Sequence, residues 1–384
     1  MARELEPPRQ PPYLLVSPRP ANRSLLTRQL IIAGVLIAVA IVAIMAAVVV
    51  TQKPPTRHVA EPGEGNSRSP SPSPSIPTSS GDSWIAQSSQ SSEWLCGVAF
   101  IDATHGWAVG EKGTILATTD GGATWSKQSS ASSAWLNGVA FSNATHGWAV
   151  GGDENTGAGV ILATSNGGKT WNAQNSESTS RLNGVAFSDA THGWAVGSGG
   201  AIRATTNGGV TWTQEESGSG AKLTAVAFGD ATHGWAVGED EDTGAGVILA
   251  TSNGGKTWSA QSAETTSLLS GVAFRDATHG WAVGEGGTIF ATPDVGATEI
   301  KQRSGRSVWP NAVAFSRAAH GWAVGWDRDN KAGVILATSN GGGTWSAQSS
   351  VTTAALNAVA FSDAVHGWAV GSGGAILATR NGGD

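Results

Sequence analysis

The hexapeptide His-Gly-Trp-Ala-Val-Gly occurs seven times in the 384-residue chain, and no other feature constrains the fold as strongly. The copies begin at His105, His146, His192, His233, His279, His320 and His366. They are separated alternately by 41 and 46 residues, which indicates that a unit of two repeats was itself duplicated. Because repeats of about 40–45 residues with glycine-rich turns are typical of propeller blades, the sequence predicts an all-β, seven-bladed β-propeller.

Each repeat contains four short segments with the apolar alternation of β-strands. In the second repeat these segments span residues 136–141, 147–151, 159–164 and 171–174. The connections between them are too short for a crossover helix, so parallel βαβ units are excluded. Each repeat is therefore expected to form one antiparallel, four-stranded blade.

The two ends of the repeat region are complementary. The seventh repeat stops at residues 381–384, before its fourth strand, whereas an extra fourth strand at residues 84–87 precedes the first repeat. This N-terminal strand is expected to complete the last blade and close the ring, which removes two exposed sheet edges. A linear β-solenoid is the alternative, although solenoids usually need a distinct cap at each end.

An uncharged, strongly apolar segment covers residues 30–50. Its 21 residues would form a helix about 31 Å long, which matches a hydrocarbon core of about 30 Å. A cleaved signal peptide is the alternative, but its apolar region is usually only about 7–15 residues long. Arginines cluster upstream of the segment, so the positive-inside rule predicts a single-pass type II protein of the cytoplasmic (plasma) membrane with its propeller on the extracytoplasmic side.

The amino-acid composition of the remaining segments predicts the role of each. Residues 1–29 are predicted to form a disordered cytoplasmic tail, residues 51–82 a Pro/Ser-rich spacer, and residues 83–384 the propeller. Residues 1–82 carry a net charge of +3 and the remainder −9, and such an acidic body argues against nucleic-acid binding. The single cysteine, Cys96, excludes an intrachain disulfide.

The turn between the third and fourth strands has a recurrent sequence, which in the first repeat runs from Thr118 to Trp125. We expect its Asp or Asn to accept hydrogen bonds from the turn, its glycines to adopt positive φ, and its Trp to fold back onto the hairpin. This sequence resembles the Asp-box, or bacterial neuraminidase repeat. The fifth copy has Glu299 in place of the Trp. The matching Asp or Asn positions are Asp120, Asn166, Asn207, Asn253, Asp294 and Asn340.

The sequences DATHGWAVG, GTILATT and DGGATW together resemble the photosystem II assembly/stability factors of photosynthesis. This resemblance implies a seven-bladed propeller that acts as a scaffold, with a protein partner that belongs to a membrane complex.

The sequence predicts that the protein is not an enzyme and needs no cofactor or metal. A sialidase would need a tyrosine nucleophile, and the only tyrosine, Tyr13, is expected to lie across the membrane from the propeller. The seven repeated histidines should be distributed around the ring and bond their own turns rather than converge on a site. No zinc-protease, phosphate-loop or nucleophile-elbow pattern occurs. A glycosidase that needs only two carboxylates remains an open alternative.

Positions that vary among the repeats are better candidates for a binding site. One such position lies six residues before the Phe of each first strand. It is expected to precede this strand, which is predicted to be the innermost of the blade, and so to ring one mouth of the channel. Trp and Arg often anchor protein interfaces, so we predict a contact surface there, with ordinary loop residues as the alternative. The occupants are Trp94, Trp135, Arg181, Lys222, Leu268, Trp309 and Ala355.

The 46-residue repeats have a longer loop between their second and third strands, which should emerge on the same face as this ring. These loops are acidic, which indicates either a solvated surface or a site for a basic partner. A calcium site is a further alternative, although no EF-hand spacing is complete. The loop residues predicted to contact a partner are Asp153, Asp240, Asp242, Asp327 and Trp326.

The predicted function is a protein-binding or assembly scaffold. The alternative is a cell-surface glycan-binding module or glycoside hydrolase, because Trp94, Trp135 and Trp309 could also stack on sugar rings.

Overall fold

The computed structural model describes residues 84–262, 265–294, 300–304, 307–316 and 319–383. Over these residues the chain forms seven antiparallel four-stranded sheets, which confirms the expected all-β, seven-bladed propeller. No helix within this described part is long and apolar enough to span a membrane.

Three predicted segments lie outside the described residues. They are the cytoplasmic tail (1–29), the membrane span (30–50) and the Pro/Ser-rich spacer (51–82). All three therefore remain predictions.

The innermost strand of each blade lines the central channel. The apolar alternation of these strands places a leucine, valine or proline toward the blade core and a polar residue toward the channel. In chain order the innermost strands are β2 (Leu95–Phe100), β6 (Trp135–Phe141), β10 (Leu182–Phe187), β14 (Lys222–Phe228), β18 (Leu269–Phe274), β22 (Val308–Phe315) and β26 (Leu356–Phe361).

The second and third strands form the buried middle of each blade. The second strands are β3 (Gly106–Gly110), β7 (Gly147–Gly152), β11 (Gly193–Gly197), β15 (Gly234–Glu239), β19 (Gly280–Gly284), β23 (Gly321–Asp327) and β27 (Gly367–Gly371). The third strands are β4 (Ile115–Thr118), β8 (Gly159–Thr164), β12 (Ile202–Thr205), β16 (Gly246–Thr251), β20 (Thr288–Thr292), β24 (Ala332–Thr338) and β28 (Ile376–Thr379).

The outermost strands are short and largely exposed. They are β5 (Ser126–Gln128), β9 (Asn172–Gln174), β13 (Thr213–Glu215), β17 (Ser259–Gln261), β21 (Ile300–Arg303), β25 (Ser346–Gln348) and, from the start of the described chain, β1 (Ile85–Gln87). Blade 1 is formed by β2–β5, and each later set of four strands forms the next blade up to blade 6, which is formed by β22–β25. Blade 7 consists of β26, β27 and β28 with β1 as its outermost strand.

The two ends of the repeat region meet in blade 7. Strand β1 pairs antiparallel with β28, with Ile85 opposite Ala378 and Gln87 opposite Ile376. Beside this strand, the buried Trp84 donates from its indole Nε1 to the side-chain oxygen of Gln348 in blade 6, at 2.9 Å. The pairing covers the edge of β28, which would otherwise expose unpaired backbone groups.

An aromatic sandwich joins a blade to the next at six of the seven junctions. At the junction of blades 1 and 2, Trp107 stacks on Phe141 with ring centroids 3.5 Å apart, and Trp171 meets the same Phe edge-on at 5.9 Å. Six of the seven junctions have a stacked pair of this kind: Trp107–Phe141, Trp148–Phe187, Trp194–Phe228, Trp281–Phe315, Trp322–Phe361 and Trp368–Phe100. The buried aromatic area and the ring geometry make these contacts a main source of cohesion between blades.

The glycine of the repeated hexapeptide makes room for this sandwich. A Cβ atom on Gly147 would lie only 2.4 Å from the ring of Phe141, which crosses directly over the glycine. The indole Nε1 of the Trp that follows it, Trp148, donates to the carbonyl oxygen of Gly208 in the next blade's turn, at 3.2 Å. The Gly-Trp pair therefore both accommodates one blade's Phe and reaches the next blade.

The junction of blades 4 and 5 differs because the fifth turn lacks its Trp. Here Trp235 and Phe274 are not stacked but meet edge-on, with ring centroids 5.4 Å apart and an interplanar angle of 77°. The indole Nε1 of Trp235 is buried and has no hydrogen-bond partner within the described part of the chain. The loss of one turn Trp is thus accompanied by a changed packing of the neighbouring rings.

The contribution of β1 to ring closure can be tested with Trp84→Ala in the full chain. Trp84 is fully buried against Phe361, so its removal should reduce the free energy of unfolding by about 3–5 kcal/mol. Urea unfolding measured by circular dichroism checks this. Trp212→Ala is the matched control, because Trp212 has the same edge-on Phe contact and the same bond to a Gln within the ring. If Trp84→Ala left stability unchanged while Trp212→Ala reduced it, β1 would not close the ring in solution.

Candidate functional site

The two faces of the propeller carry different kinds of residues. One face carries the connection from the outermost strand of each blade to the innermost strand of the next, together with the loops between second and third strands. It also carries the seven variable positions, and we call it the variable face. The other, which we call the turn face, carries the repeated His-Gly sequence and the turns between third and fourth strands. A site particular to this protein is therefore expected on the variable face, because the turn face is nearly the same in every blade.

Three of the predicted contact residues form one cluster on the variable face. The rings of Trp94 and Trp135, from blades 1 and 2, meet edge-on with centroids 6.5 Å apart. The guanidinium carbon of Arg181, at the entry to blade 3, lies 5.7 Å from the centroid of the Trp135 ring. Trp94 is 49% exposed, which is unusual for so large an aromatic side chain. The cluster therefore offers an exposed aromatic surface beside a cation.

The cluster continues into the channel through Cys96. The indole Nε1 of Trp135 donates a hydrogen bond to the Cys96 sulfur at 3.2 Å, and Cys96 lines the channel. Burial raises the pKa of the Cys96 thiol, and the hydrogen bond from Trp135 only partly opposes this effect. The sulfur is therefore a protonated thiol at neutral pH and acts as an acceptor for the indole.

The other predicted ring residues form separate groups. Lys222 Nζ lies 2.8 Å from Glu239 Oε1 in blade 4. In blade 6, Trp309 lies opposite Trp326 on adjacent strands, and the guanidinium carbon of Arg328 is 4.4 Å from the Trp309 ring centroid. The structure thus places the predicted residues on one face but does not unite them in a single pocket.

Not all ring residues precede the innermost strand, as the sequence led us to expect. Trp135, Lys222 and Trp309 lie within β6, β14 and β22. These are the blades with the longer loop, where the hairpin continues far enough for Trp135 to pair with Gly152. The expectation was wrong for these three residues because the longer loop lengthens the strands that support it.

The acidic loops use several of their carboxylates internally. Asp153 accepts hydrogen bonds from the backbone amides of Asn155 and Thr156, at 3.1 and 2.9 Å, and from the Thr156 hydroxyl. These bonds hold the pKa of Asp153 below its usual range. Asp240 bonds its loop in the same way, whereas Asp242 is exposed.

In blade 6, Asp327 is buried and accepts from the backbone amide and the side-chain amide of Asn330, at 3.0 and 2.8 Å. Asp153, Asp240 and Asp327 therefore shape their own loops. In the described part of the chain, no three His, Cys, Asp or Glu side chains converge as a metal site would require.

A ring of polar side chains around the channel was not foreseen from the sequence. The side-chain amide of Asn137 donates to the carbonyl oxygen of Leu182 in the next blade at 2.9 Å, and Asn183 bonds Leu223 in the same way. The residues that make this contact are Asn137, Asn183, Thr224, Asn311 and Asn357. The sequence signal is the recurrent polar residue at the second position of the LNGVAF-like segment. These hydrogen bonds join the innermost strands of adjacent blades around a channel of about 180 Å³.

On the turn face six of the seven repeated histidines bond their own turns, as expected. His192 Nδ1 lies 2.9 Å from the Asp189 carboxylate, which also accepts from the backbone amides of Thr191 and His192. The Thr191 hydroxyl together with these two amides, against the opposing effect of desolvation, holds the pKa of Asp189 well below its usual range. In blade 2, Asn143 accepts the equivalent amide bonds without a charge. The histidine positions are therefore structural.

The turns between third and fourth strands have one recurrent hydrogen-bond pattern. In blade 1, Asp120 accepts from the backbone amide of Thr124 at 2.9 Å, and Gly121 and Gly122 adopt positive φ. In blade 5 the described part of the turn retains the bond between the Thr292 hydroxyl and Asp294. The equivalent residues Asn166, Asn207, Asn253 and Asn340 each accept from the amide four residues later.

The fold and its surface define the class of protein: a seven-bladed propeller with a repetitive turn face and a variable face that bears exposed aromatic residues. Residues 76–175, 130–214 and 176–261 match the family described as "Photosynthesis system II assembly factor YCF48". Over residues 76–261 the propeller is therefore similar to the photosystem II assembly factors. No curated protein matches the sequence significantly.

Solved structures share the fold at low sequence identity. The structure entitled "YCF48 bound to D1 peptide" is 23% identical, with 80% of this chain and 100% of that chain covered and a TM-score of 0.64. YCF48 from Cyanidioschyzon merolae is 22% identical over 78% of this chain and 98% of that chain, with a TM-score of 0.62. The GH74 xyloglucanase from Xanthomonas campestris is 16% identical over 78% and 53%, also with a TM-score of 0.62.

The Asp–His turns predict how stability responds to acid. Because the pKa of Asp189 is lower in the folded chain than the value of about 3.9 for an unfolded Asp, its contribution is present above about pH 4 and is lost as the pH falls toward the folded-state pKa. Asp189→Asn should keep acceptors for both amides and weaken the pH dependence of the free energy of unfolding between about pH 5 and 2.

Urea unfolding at a series of pH values checks this prediction. Asn143→Asp is the reverse control, because it introduces a carboxylate into the one described turn of this type that has an amide, and it should steepen the same dependence. Equal pH dependence in all three proteins would contradict the assignment.

Proposed function

We propose that this protein is a membrane-anchored, extracytoplasmic scaffold that binds a protein partner through its variable face. The observation that carries the proposal is the cluster of Trp94, Trp135 and Arg181. Trp and Arg are the residues that most often dominate binding energy at protein interfaces, above all where a few of them are grouped. Here they lie together next to the channel mouth.

The surroundings of the cluster suit a protein partner. Trp309, Trp326 and Arg328 supply a second aromatic and cationic group on the same face. The loops that contain Asp153 and Asp240 emerge on the same face, and their charges would select the orientation and the charge of a partner more than its affinity. The surface therefore combines apolar anchors with a polar rim, as protein interfaces commonly do.

The family match supports the same kind of function. One structural neighbour is described as bound to a D1 peptide, so at least one propeller with this fold binds a polypeptide. We carry over only this coarse property, together with a role in the assembly of a membrane complex. A role in photosynthesis is part of the proposal because the matching family is defined by photosystem II assembly.

The proposed location follows from the N-terminal sequence. The apolar residues 30–50 with the arginines before them support a single-pass type II anchor in the plasma membrane, and residues 51–82 supply a spacer. A scaffold attached in this way would work at the extracytoplasmic surface, within reach of membrane-embedded partners.

We propose binding rather than catalysis. The repeated histidines could serve as acid–base groups, but they are distributed among the blades. Six of them bond their own turns. The only tyrosine, Tyr13, precedes the predicted membrane span. Each Thr–His–Asp group of this kind is a turn element repeated around the ring, which favours a structural role over a single reaction centre.

A glycan-binding module or glycoside hydrolase is the second candidate. The observation that favours it is the exposure of Trp94, because an exposed indole can stack on a sugar ring as well as on a protein. The likeness to the GH74 xyloglucanase, at 16% identity, concerns the fold alone.

The proposal predicts a partner that depends on the Trp94 cluster. The full-length protein is crosslinked in its native membrane and purified by an affinity tag, and the recovered proteins are quantified by mass spectrometry. The triple variant Trp94→Ala/Trp135→Ala/Arg181→Ala should recover the partner at least about tenfold less, since one such anchor commonly contributes about 2 kcal/mol or more.

Val210→Ala is the control, because Val210 is 80% exposed on the turn face. It should recover the partner as the wild type does, and circular dichroism should show that all three proteins are folded at the temperature of the assay. A partner retained by the triple variant would contradict the assignment of the binding face.

A glycan array and a panel of chromogenic glycosides distinguish the second candidate. The scaffold proposal expects no binding and no turnover. Turnover that is abolished by Asp→Asn changes in the acidic loops would overturn it in favour of a glycoside hydrolase.

A further inference from the structure

Blade 3 departs from the repeat in the middle of its third strand. In the other six blades this position is a buried Leu or Phe that faces the preceding blade, namely Leu116, Leu162, Leu249, Phe290, Leu336 and Leu377. In blade 3 it is Arg203, and the apolar cluster between blades 2 and 3 has no residue from this position. A charge has therefore replaced an apolar side chain at one junction.

Arg203 is buried but only partly bonded. It is 7% exposed, its Nη1 donates to the side-chain oxygen of Gln214 at 3.1 Å, and its Nη2 donates to the carbonyl oxygen of Glu177. Its Nε is buried and has no acceptor within the described part of the chain. An unpaired donor on a buried cation is costly, and both of its recorded acceptors are neutral oxygens.

A cavity of about 350 Å³ opens beside this guanidinium on the variable face. One wall is the connection into blade 3 at Ser178–Ser180, and the other is the end of blade 3 at residues 214–219. Its floor is the short turn at residues 199–201. The lining is almost entirely hydroxyl, amide, carboxyl and glycine backbone groups, and the volume is at the lower end of the range for small-molecule pockets.

The charges around the cavity limit what it can hold. Burial lowers the pKa of the Arg203 guanidinium, and the Glu177 carboxylate opposes this effect, so the cation is not fully compensated where it lies. Glu215 and Glu216 also border the cavity, and residues 83–384 carry a net charge of −9. A multiply charged anion such as phosphate would be repelled by these carboxylates, whereas a single carboxylate would meet less repulsion.

We propose that the Arg203 cavity is a binding site for a monocarboxylate group. A planar guanidinium is a fork whose pairs of N–H donors match the two oxygens of a carboxylate, and each Nη of Arg203 has a second N–H besides the one that bonds Gln214 or Glu177. The carboxylate belongs either to a small free acid or to an Asp or Glu side chain of a bound polypeptide. The inference goes beyond the proposed function and does not depend on it.

The test uses the full-length protein with ¹⁵Nε-labelled arginine. Two probes are titrated at constant ionic strength: acetate, and the capped peptide Gly-Gly-Glu-Gly-Gly. Chloride and the same peptide with Gln in place of Glu are the matched controls. The readouts are the Nε–H resonance of Arg203, identified by its loss in Arg203→Leu, and the melting temperature.

We expect a saturable shift of the Arg203 resonance and a rise in the wild-type melting temperature, since a ligand that binds only the folded state stabilises it. Arg203→Leu restores the residue of the other blades, so it should fold normally and show no rise. Arg203→Lys keeps the charge but lacks the fork, and it should lose most of the response.

A response to both acetate and the Glu peptide would show that a carboxylate group alone is sufficient for binding. A response to the Glu peptide alone would support a polypeptide side chain as the source of the carboxylate. No saturable response to either probe, or an equal rise in melting temperature in Arg203→Leu, would overturn the proposal. Neither result bears on partner recovery through Trp94, so the two proposals can fail separately.

Discussion

The contact between the Trp of one blade and the Phe of the next is the interaction on which the ring depends. It explains why the repeated motif contains a glycine: the Phe ring crosses Gly147 at a distance that no side chain would allow. It also explains why one repeat cannot be stable alone, because one of the three rings of each aromatic sandwich comes from its neighbour. The junction at Trp235 is informative, because the loss of one turn Trp there changes the stacking of the remaining two rings.

This dependence separates the two faces. The turn face holds the Asp–His turns and the turns that carry the second Trp of the sandwich, so its residues are constrained by packing in every blade. The variable face contributes little to the sandwich, and residues such as Trp94 and Arg181 are free to differ among blades. A common scaffold with one unconstrained surface is a suitable arrangement for the binding function that we propose.

Much of the fold was predictable from sequence, because repetition makes each blade a copy of one solvable unit. The strands of the second repeat were predicted to within about one residue of their observed bounds. Single-repeat departures were harder to interpret. Arg203 occupies a position where the other blades have Leu or Phe, and only the structure shows that its guanidinium is buried. Likewise, the acidic residues Asp153 and Asp240 suggested a charged surface, but their carboxylates mostly bond their own loops.

Blades with a short turn and blades with a longer loop alternate, but the number of blades is odd. The short turns occur in blades 1, 3, 5 and 7 and the longer loops in blades 2, 4 and 6, so a two-blade unit is laid around a ring with an odd number of members. Such a pattern cannot close without one mismatch, which falls where blades 7 and 1 adjoin. Longer and shorter loops therefore alternate around the variable face except at blades 7 and 1, which both have the short turn. Trp94 directly precedes the innermost strand of blade 1, so it lies at this sector. Although its blades are nearly equivalent, the ring therefore has one sector that differs from all others, and a partner can distinguish that side of the propeller.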